Sequence, residues 1–251
     1  MPRGKRNIEQ IVGQMEISDF STDLSEIVVQ SKSLITAKQS LTLNSTKLIR
    51  AAIKQIKPSD DEFKPYIITI PEIAQMLNIS PSNLYKQIWD ITDNIIENPV
   101  RIKKMEGSRI MWSKIPWVKR CDYISDKGLL IKLNEELKPL LLNLEQEYGY
   151  SYDKISEMKS IYSIRIFEII NKEIGEGPID PEGNHVILLL SALKEALDCE
   201  DKYKEFSNFR MRILDGAMKE INSFSDYTIS YTYIKEGRKV KYLDFLVEPR
   251  K

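Results

Sequence analysis

The chain has 251 residues, 42% of them hydrophobic and 29% charged, so it is long enough for two domains and apolar enough to exclude disorder of the whole chain. Its 37 basic and 37 acidic residues balance, so the net charge does not indicate a nucleic-acid partner, and only local clusters of charge are informative. No apolar run approaches the roughly 20 residues that span a bilayer, and the N-terminus MPRGKRNIEQIVGQ has no signal-peptide core, so we expect a cytoplasmic protein without a membrane segment.

The first predicted elements are an arm, a strand and two helices. Residues 1–26 have weak periodicity and many polar side chains, which favours a flexible N-terminal arm. The stretch IVVQSKSLITA predicts a short strand followed by a helix. Apolar residues at helical spacing predict the next helix, with its N-cap at Asn44 or Ser45 and its end near residue 57.

A helix-turn-helix motif is predicted between residues 66 and 98. A short strand leads into a helix with Pro71 in its first turn. The sequence Asn78-Ile79-Ser80 interrupts this helix, and Ser80 is a suitable cap for a second one. Second helices of such motifs enter the DNA major groove by their N-terminal residues. The candidate DNA contacts at the head of this helix are Ser82, Asn83 and Lys86.

Strand-like stretches follow at 100–105, 110–115 and 129–133, separated by turns that contain glycine. A helix-turn-helix followed by a short antiparallel sheet is the order of a winged helix. Between residues 100 and 120 many basic side chains accompany a single acid, Glu106, which places a cationic patch on the proposed wing. The candidate DNA contacts there are Lys103, Lys104 and Arg109. Trp112 and Trp117 are predicted to lie in the core, with stacking on nucleic acid as the alternative.

The second half of the chain repeats this order. SYDKISEMKSIYSIRIFEIINKEI predicts a long amphipathic helix or a helix pair, and HVILLLSALKEALD predicts a strand and a short helix. SNFRMRILDGAMKEINSF predicts a long helix, and TISYTYIKEGRKVKYLDFLVE predicts a β-hairpin. The sequence therefore predicts an α+β fold of two tandem winged-helix domains, at 27–148 and 149–251.

The long helix predicted at about 205–224 is the main candidate for reading DNA. Its apolar residues are expected to share a buried face: Phe206, Phe209, Ile213, Ala217 and Ile221. On the other side, Asn208 and Arg212 are suited to bases, because Asn reads adenine and Arg reads guanine in the major groove. For any one residue a merely solvated helix face is an equal alternative, but the clustering of basic residues in the N-terminal half favours DNA.

Phosphate contacts are predicted around this helix and on the C-terminal hairpin. The candidates before and within the helix are Lys202, Tyr203, Lys204, Ser207 and Arg210. The candidates around the hairpin turn are Lys235, Arg238, Lys239 and Lys241. Ordinary hairpin solubility is the alternative for the second group.

Catalytic functions lack the residues they need. His185 is the only histidine, whereas a rolling-circle nickase needs a pair of metal-binding histidines. There is no G-x-x-x-x-G-K-[ST] phosphate-binding loop. Cys121 and Cys199 are far apart and lack metal-ligand spacing. We therefore expect no enzymatic activity, no metal and no cofactor, and a structural role for His185.

In this order the sequence resembles the initiator Rep proteins of iteron-containing, theta-replicating plasmids, from about Ile27 to Val247. The motifs that carry the resemblance are VVQSKSLITAKQSLTLNSTKLIRAAI, LNEELKPLLLNL, MKSIYSIRIFEII and KYKEFSNFRMRILDGAMKEINSFSD. Met211 stands where a third basic residue is common, and Gly216 where proline or another residue often occurs. These departures leave the pattern of base reading open.

The resemblance implies two winged-helix domains joined by a long helix. It further implies that the C-terminal domain supplies the main recognition helix, while the N-terminal domain adds DNA contacts and most of a dimer interface. Such proteins bind iterons as monomers and repress their own gene as dimers.

The leading hypothesis is a plasmid replication initiator, not an enzyme. We expect it to bind iterons and an operator in double-stranded DNA, to open the origin and to recruit the host helicase and initiator proteins, with a homodimer in equilibrium with the monomer. The alternative is a winged-helix transcriptional repressor without a replication role. Tandem repeats of about 20 base pairs beside the gene favour the first, and a lone palindrome favours the second.

Overall fold

Helices and strands alternate along the chain. The computed structural model of the protein describes residues 26–80, 84–175 and 178–250, so the predicted arm at 1–26 lies outside the described residues except for Glu26. The helices are α1 Lys32–Thr36, α2 Leu43–Ile53, α3 Ile70–Leu77, α4 Leu84–Glu97, α5 Lys138–Leu141, α6 Asp153–Ser156, α7 Ile161–Ile174, α8 Leu190–Ala196, α9 Phe206–Phe209 and α10 Asp215–Phe224, with a 3-10 turn at Glu135–Leu137 and a π-helical turn at Arg210–Leu214. The strands are β1 Ile27–Gln30, β2 Tyr66–Thr69, β3 Val100–Glu106, β4 Arg109–Ile115, β5 Val118–Ile124, β6 Gly128–Leu133, β7 Tyr148–Ser151, β8 Asn184–Leu189, β9 Tyr227–Glu236 and β10 Lys239–Pro249.

One arrangement occurs twice. In the N-terminal half, helices α3 and α4 accompany the antiparallel sheet β2-β6-β5. In the C-terminal half, α8 and a second helix accompany the antiparallel sheet β8-β10-β9. That second helix consists of α9, the π-helical turn and α10 without a break, and we call it the 206–224 helix. Two helices with a three-stranded sheet form a winged helix, so the predicted α+β fold with two such domains is confirmed.

Local sequence explains where the first helix of the N-terminal motif begins and ends. The Thr69 side chain and the Glu72 side chain form a capping box at the start of α3, next to Pro71 in the first turn. At the other end, Asn78 adopts the left-handed conformation with φ 52°, which asparagine tolerates better than most residues. The predicted break after this helix is therefore present.

The predicted cap of α2 is wrong by two residues or more. Thr42, and not Asn44 or Ser45, caps the helix, because its hydroxyl accepts a hydrogen bond from the Ser45 backbone N–H at 3.3 Å. The helix also ends at Ile53, earlier than the predicted position near residue 57. Thr42, Asn44 and Ser45 all have side chains that make good caps. Which of them caps the helix is decided by how the helix packs, and not by residue type.

The predicted N-terminal wing differs from the observed sheet. Strands β3 and β4 form a separate two-stranded hairpin, in a register from Val100↔Ile115 to Glu106↔Arg109, and Arg101 of β3 also bridges to Lys38. The sheet of the winged helix instead uses β5, a strand that the sequence pattern does not predict. Most β5 side chains are half-buried, so the strand lacks the alternation of buried and exposed residues that periodicity detects.

The two tryptophans of this region lie in different environments. Trp117 is completely buried, as predicted. Trp112 is 69% exposed, so its prediction as a core residue is wrong. It belongs to β4, whose side chains are almost all exposed although Val100 and Ile102 of the paired strand β3 are buried, and sequence alone does not reveal this difference.

A buried polar network centred on Glu168 joins helix α7 to three other elements. The Glu168 carboxylate accepts hydrogen bonds from Arg50 Nε at 2.7 Å, from Tyr150 Oη at 2.6 Å and from Gln30 Nε2 at 3.2 Å. It also forms an ion pair with Arg165, whose Nη2 donates to the backbone carbonyls of Ile35 in α1 and of Ala37 directly after it. Both charged partners and the carboxylate are buried. The network therefore connects α7 with β1, α2 and β7.

One pair of strands crosses the predicted boundary between the two domains. Strand β7 starts at Tyr148, on the predicted boundary, and pairs with β1 in the register Ile27↔Ser151. The first strand after the predicted boundary thus pairs with the first strand of the N-terminal half. The boundary at 148 stays a prediction.

Candidate nucleic-acid interface

The 206–224 helix is anchored by one apolar side. Phe209, Ile213, Ala217 and Ile221 are buried, as their spacing predicts, and Leu214 is buried with them. Burial of such side chains stabilises the helix position by about 1.5–3 kcal/mol for each large one. Phe206 departs from the predicted face, since it is only partly buried.

The opposite side of this helix is polar and exposed. Ser207, Asn208, Arg210 and Arg212 all lie on it, as predicted. Within the described residues, the side chains of Asn208 and Arg212 form no hydrogen bond and no ion pair, so their donors are available to a ligand. A helix of this kind fits the major groove, in which Asn and Arg make paired hydrogen bonds to purines.

Arg210 lies near Asp215, which is itself held by a tyrosine of strand β9. Its Nε lies 3.9 Å from Asp215 Oδ2, one turn along the helix. Asp215 Oδ1 accepts a hydrogen bond from Tyr231 Oη of strand β9 at 2.7 Å. Burial, together with this hydrogen bond, raises the pKa of Tyr231 above its ordinary value, so the hydroxyl remains a donor. No local pattern in the sequence signals this contact, because it joins two elements.

The helix and the hairpin β9–β10 are joined by further contacts. The Phe206 and Tyr233 rings meet edge to face with their centroids 5.2 Å apart. The Asn222 side chain accepts a hydrogen bond from the Ile229 backbone N–H at 2.6 Å and donates one to the Ile229 carbonyl at 2.9 Å. The two predicted groups of C-terminal DNA contacts, on the helix and on the hairpin, therefore lie on elements that pack against each other.

In the segment before the 206–224 helix, the lysines are exposed and the tyrosine is half-buried. Lys202 and Lys204 are exposed. The Tyr203 ring packs partly against the core, and its carbonyl accepts a hydrogen bond from Lys194 Nζ at 2.5 Å. Lys194 Nζ also lies 5.1 Å from the centre of the Phe209 ring, a cation–π contact. Tyr203 therefore has a packing role in addition to the predicted phosphate contact.

The tip of the hairpin β9–β10 is basic. Gly237 has φ 61° in the tight turn, next to Arg238, and the side chains of Arg238 and Lys239 are exposed. Lys241 differs, because its Nζ lies 2.7 Å from Glu236 Oε2. The hydrogen bond to Glu236 raises the pKa of Lys241 and offsets its charge. Arg238 and Lys239 are consequently the stronger candidates for phosphate contacts.

The N-terminal motif offers less positive charge than predicted. Ser82 and Asn83 lie outside the described residues, and Lys86 is exposed on α4. The rest of the exposed side of α4 carries the acids Asp90, Asp93 and Glu97, and the exposed aromatic residues Tyr85 and Trp89. The first turns of α4 are thus the part of the helix where negative charge does not oppose the predicted DNA contacts.

The predicted basic wing residues lie on the separate β3–β4 hairpin. Lys103, Lys104 and Arg109 are all exposed there, and not on the sheet β2-β6-β5. Lys103 Nζ is 3.8 Å from Glu195 of α8, so the base of the hairpin adjoins the C-terminal half. Their role in DNA binding stays a prediction, but their predicted position on the sheet of the N-terminal winged helix is wrong.

The histidine and the two cysteines of the chain were considered as catalytic or metal-binding residues, and the surroundings of each are as follows. His185 is exposed at the start of β8, with Nδ1 2.9 Å from Asp244 Oδ1. Burial raises the pKa of Cys121 to about 12 and that of Cys199 to about 11, so both thiols stay protonated at neutral pH. Across residues 26–80, 84–175 and 178–250, no three His, Cys, Asp or Glu side chains are grouped as a metal site. In the same ranges, every helix is too short or too polar to cross a bilayer.

Known proteins match both halves of the chain. A family model described as "Initiator Replication protein, WH1" matches residues 27–171, and another described as "Initiator Rep protein, WH2" matches residues 190–247. An Escherichia coli protein named "Replication initiation protein" is 26% identical over 232 residues, which cover 90% of this chain and 71% of that protein. The crystal structure of Pi initiator protein in complex with iteron DNA superimposes with a TM-score of 0.72 at 18% identity, over 92% of this chain and 100% of that chain.

Proposed function

Because this chain belongs to the initiator replication protein family, whose two winged-helix models match most of its length, we propose that it initiates plasmid replication by binding repeated origin sequences, the iterons, in double-stranded DNA. The family resemblance predicted from the sequence motifs is confirmed. The solved structure with the same fold, which contains iteron DNA, supports iterons as the ligand. Iteron binding by this chain is our proposal.

One observation carries this proposal: the 206–224 helix has a buried apolar side and an exposed side with unpaired donors. Phe209 and Ile213 hold the helix in the C-terminal domain, while Asn208 and Arg212 face solvent. Each well-formed pair of hydrogen bonds to the correct base contributes about 1–3 kcal/mol of discrimination. We therefore assign the main sequence reading to the C-terminal domain.

Phosphate contacts supply the remaining affinity. We propose that Lys202, Lys204, Arg238 and Lys239 hold the backbone on either side of the 206–224 helix, because they are exposed and carry unpaired charge within the described residues. Neutralising phosphates releases counterions, so the affinity should fall steeply with salt. Lys86 and the basic residues of the β3–β4 hairpin are proposed as auxiliary contacts.

The β3–β4 hairpin is also the surface that we propose for the homodimer. Four large apolar residues are exposed on it: Met105, Ile110, Met111 and Trp112. In the described chain, the outer edge of β4 pairs with no other strand. An exposed apolar strand with a free edge is a template for pairing with a second copy. Dimerisation through this hairpin would lower the concentration of monomer that is available to bind iterons.

We further propose that the protein acts in the cytoplasm without catalysis, and that it opens the origin through binding energy and recruits the host helicase and initiator proteins. The sequence has neither a pair of histidines nor a phosphate-binding loop, which supports a binding role. Repression of its own gene by the dimer belongs to the same proposal.

Nuclease footprinting of the DNA that flanks the gene tests the function. The wild type should protect tandem repeats, and Arg212→Ala should lose this protection while its circular dichroism spectrum is unchanged. Lys138→Ala is the control, because it also removes a basic side chain, but one on α5 that is paired with Glu135 at 2.7 Å and is not among the proposed DNA contacts. Protection of one palindrome only, with no replication of a plasmid that depends on this gene, would support the repressor instead.

A further inference from the structure

An apolar side chain lies in the middle of the proposed reading surface. Met211 is 61% exposed, between Arg210 and Arg212 on the outward side of the 206–224 helix. The other methionine of this helix, Met218, is buried in the core. Met211 therefore does not anchor the helix, and the side of the helix that faces away from the core exposes an apolar group among guanidinium groups.

Met211 and both arginines face outward in a stretch that the buried residues on either side enclose, and this stretch includes a π-helical turn. Phe209 and Leu214 are five residues apart and both completely buried. Five residues correspond to the hydrogen-bond spacing of a π-helix, and the turn at Arg210–Leu214 has this form. Between these two anchors the chain presents residues 210, 211 and 212 to solvent in succession. Such turns occur frequently at functional sites.

The chemistry of the major groove restricts what Met211 recognises. The edges of the base pairs carry hydrogen-bond donors and acceptors, and their one apolar group is the C5-methyl of thymine. A methionine side chain is flexible and polarisable, so it adapts its shape to a small apolar partner. Contact between the two removes apolar surface of both from water.

We propose that Met211 is a specificity-determining residue that reads the C5-methyl group of a thymine in the repeat, next to the bases read by Asn208 and Arg212. This inference rests on the proposed function, since it assumes that the 206–224 helix lies in the major groove. A pyrimidine C5-methyl also occurs in 5-methylcytosine, but ordinary DNA supplies it through thymine, and we assign thymine.

The test is a uracil scan of the bound sequence with the full-length protein. The preferred duplex is first selected from a random double-stranded library, and each thymine is then replaced in turn by deoxyuridine, which lacks only the methyl group. Wild type should lose about fourfold in affinity at one position, the value of one buried methyl group. Met211→Ala should show no loss at that position, and Met211→Lys should show none either. Ile187→Ala, which removes an exposed apolar side chain from β8, should retain the wild-type sensitivity.

The outcomes separate the two proposals. If the wild type selects no sequence at all, the proposed function fails. If it selects a sequence but no thymine is sensitive, or if Met211→Ala has the same sensitive position as the wild type, only the role of Met211 is overturned. A parallel scan with 5-methylcytosine in place of each cytosine checks the assignment, because a Met211-dependent effect confined to cytosines would overturn thymine.

Discussion

Replacement of Glu168 by Gln keeps the shape of the side chain and removes its charge from the buried network. Burial alone would raise the pKa of Glu168, but Arg50, Arg165 and the hydrogen bonds lower it from 4.5 to about 2. At about 1.4 kcal/mol for each tenfold change in proton affinity, this lowering corresponds to roughly 3 kcal/mol of stability at neutral pH. Removal of one partner from a buried ion pair costs about 3–5 kcal/mol in general, so the two values agree.

The assay is urea unfolding followed by circular dichroism, for the wild type and for Glu168→Gln. At pH 7 the variant should be less stable by about 3–5 kcal/mol, and its melting temperature should be lower by about 10 °C. The pKa of the folded state lies below that of the unfolded state, so this stability is complete above about pH 4.5 and is lost as the pH falls toward 2. The difference between the two proteins should therefore narrow across this interval.

Glu97→Gln is the matched control, because Glu97 is exposed on α4, and its effect should stay within about 0.5 kcal/mol. Equal stability of Glu168→Gln and the wild type at pH 7 would refute the assignment of Glu168 as the anion that compensates the buried arginines. A difference that is constant from pH 7 to pH 3 would refute the pKa argument.

Three further predictions concern the proposed surfaces. Trp112→Ser should shift the monomer–dimer equilibrium toward monomer by at least tenfold in sedimentation, because it removes a large exposed apolar group from the β3–β4 hairpin; an unchanged equilibrium would place the dimer contact elsewhere. Lys239→Ala should reduce the salt dependence of DNA binding by about one unit in the logarithmic slope without changing the preferred sequence; altered preference in a selection experiment would contradict a phosphate contact. Tyr231→Phe removes the hydrogen bond to Asp215, so Asp215 should pair more strongly with Arg210 and compete with DNA for it. The DNA affinity should then fall about fivefold, which corresponds to roughly 1 kcal/mol. Wild-type affinity in a titration would show that Tyr231 does not influence Arg210.

Much of the C-terminal reading surface is predictable from sequence. Phe209, Ile213, Ala217 and Ile221 recur at helical spacing, and this pattern alone predicts their common buried side and the outward position of Asn208. The hairpin that follows is predictable for the same kind of reason, since its alternation and its turn with Gly237 are local signals.

The N-terminal half was less predictable. Trp112 and Trp117 are five residues apart and chemically identical, yet one is exposed and the other is buried. Thr42 caps α2, although Asn44 and Ser45 beside it are equally suitable caps by residue type. The strand Val118–Ile124 has no detectable period, because most of its side chains are half-buried on both faces of the sheet. In each case the environment is set by elements that local periodicity does not contain.

Local spacing and capping signals in the sequence were sufficient to determine two helix-turn-helix units with hairpins, and the longer motifs were sufficient for the family. Only the tertiary structure decided that β3 and β4 form a separate hairpin, that Tyr231 reaches Asp215 and that Glu168 gathers groups from β1, α2 and β7. The physical reason is the range of the interactions: helical and strand periods involve residues a few positions apart, whereas burial and charge compensation depend on partners more than a hundred residues away, as between Arg50 and Glu168.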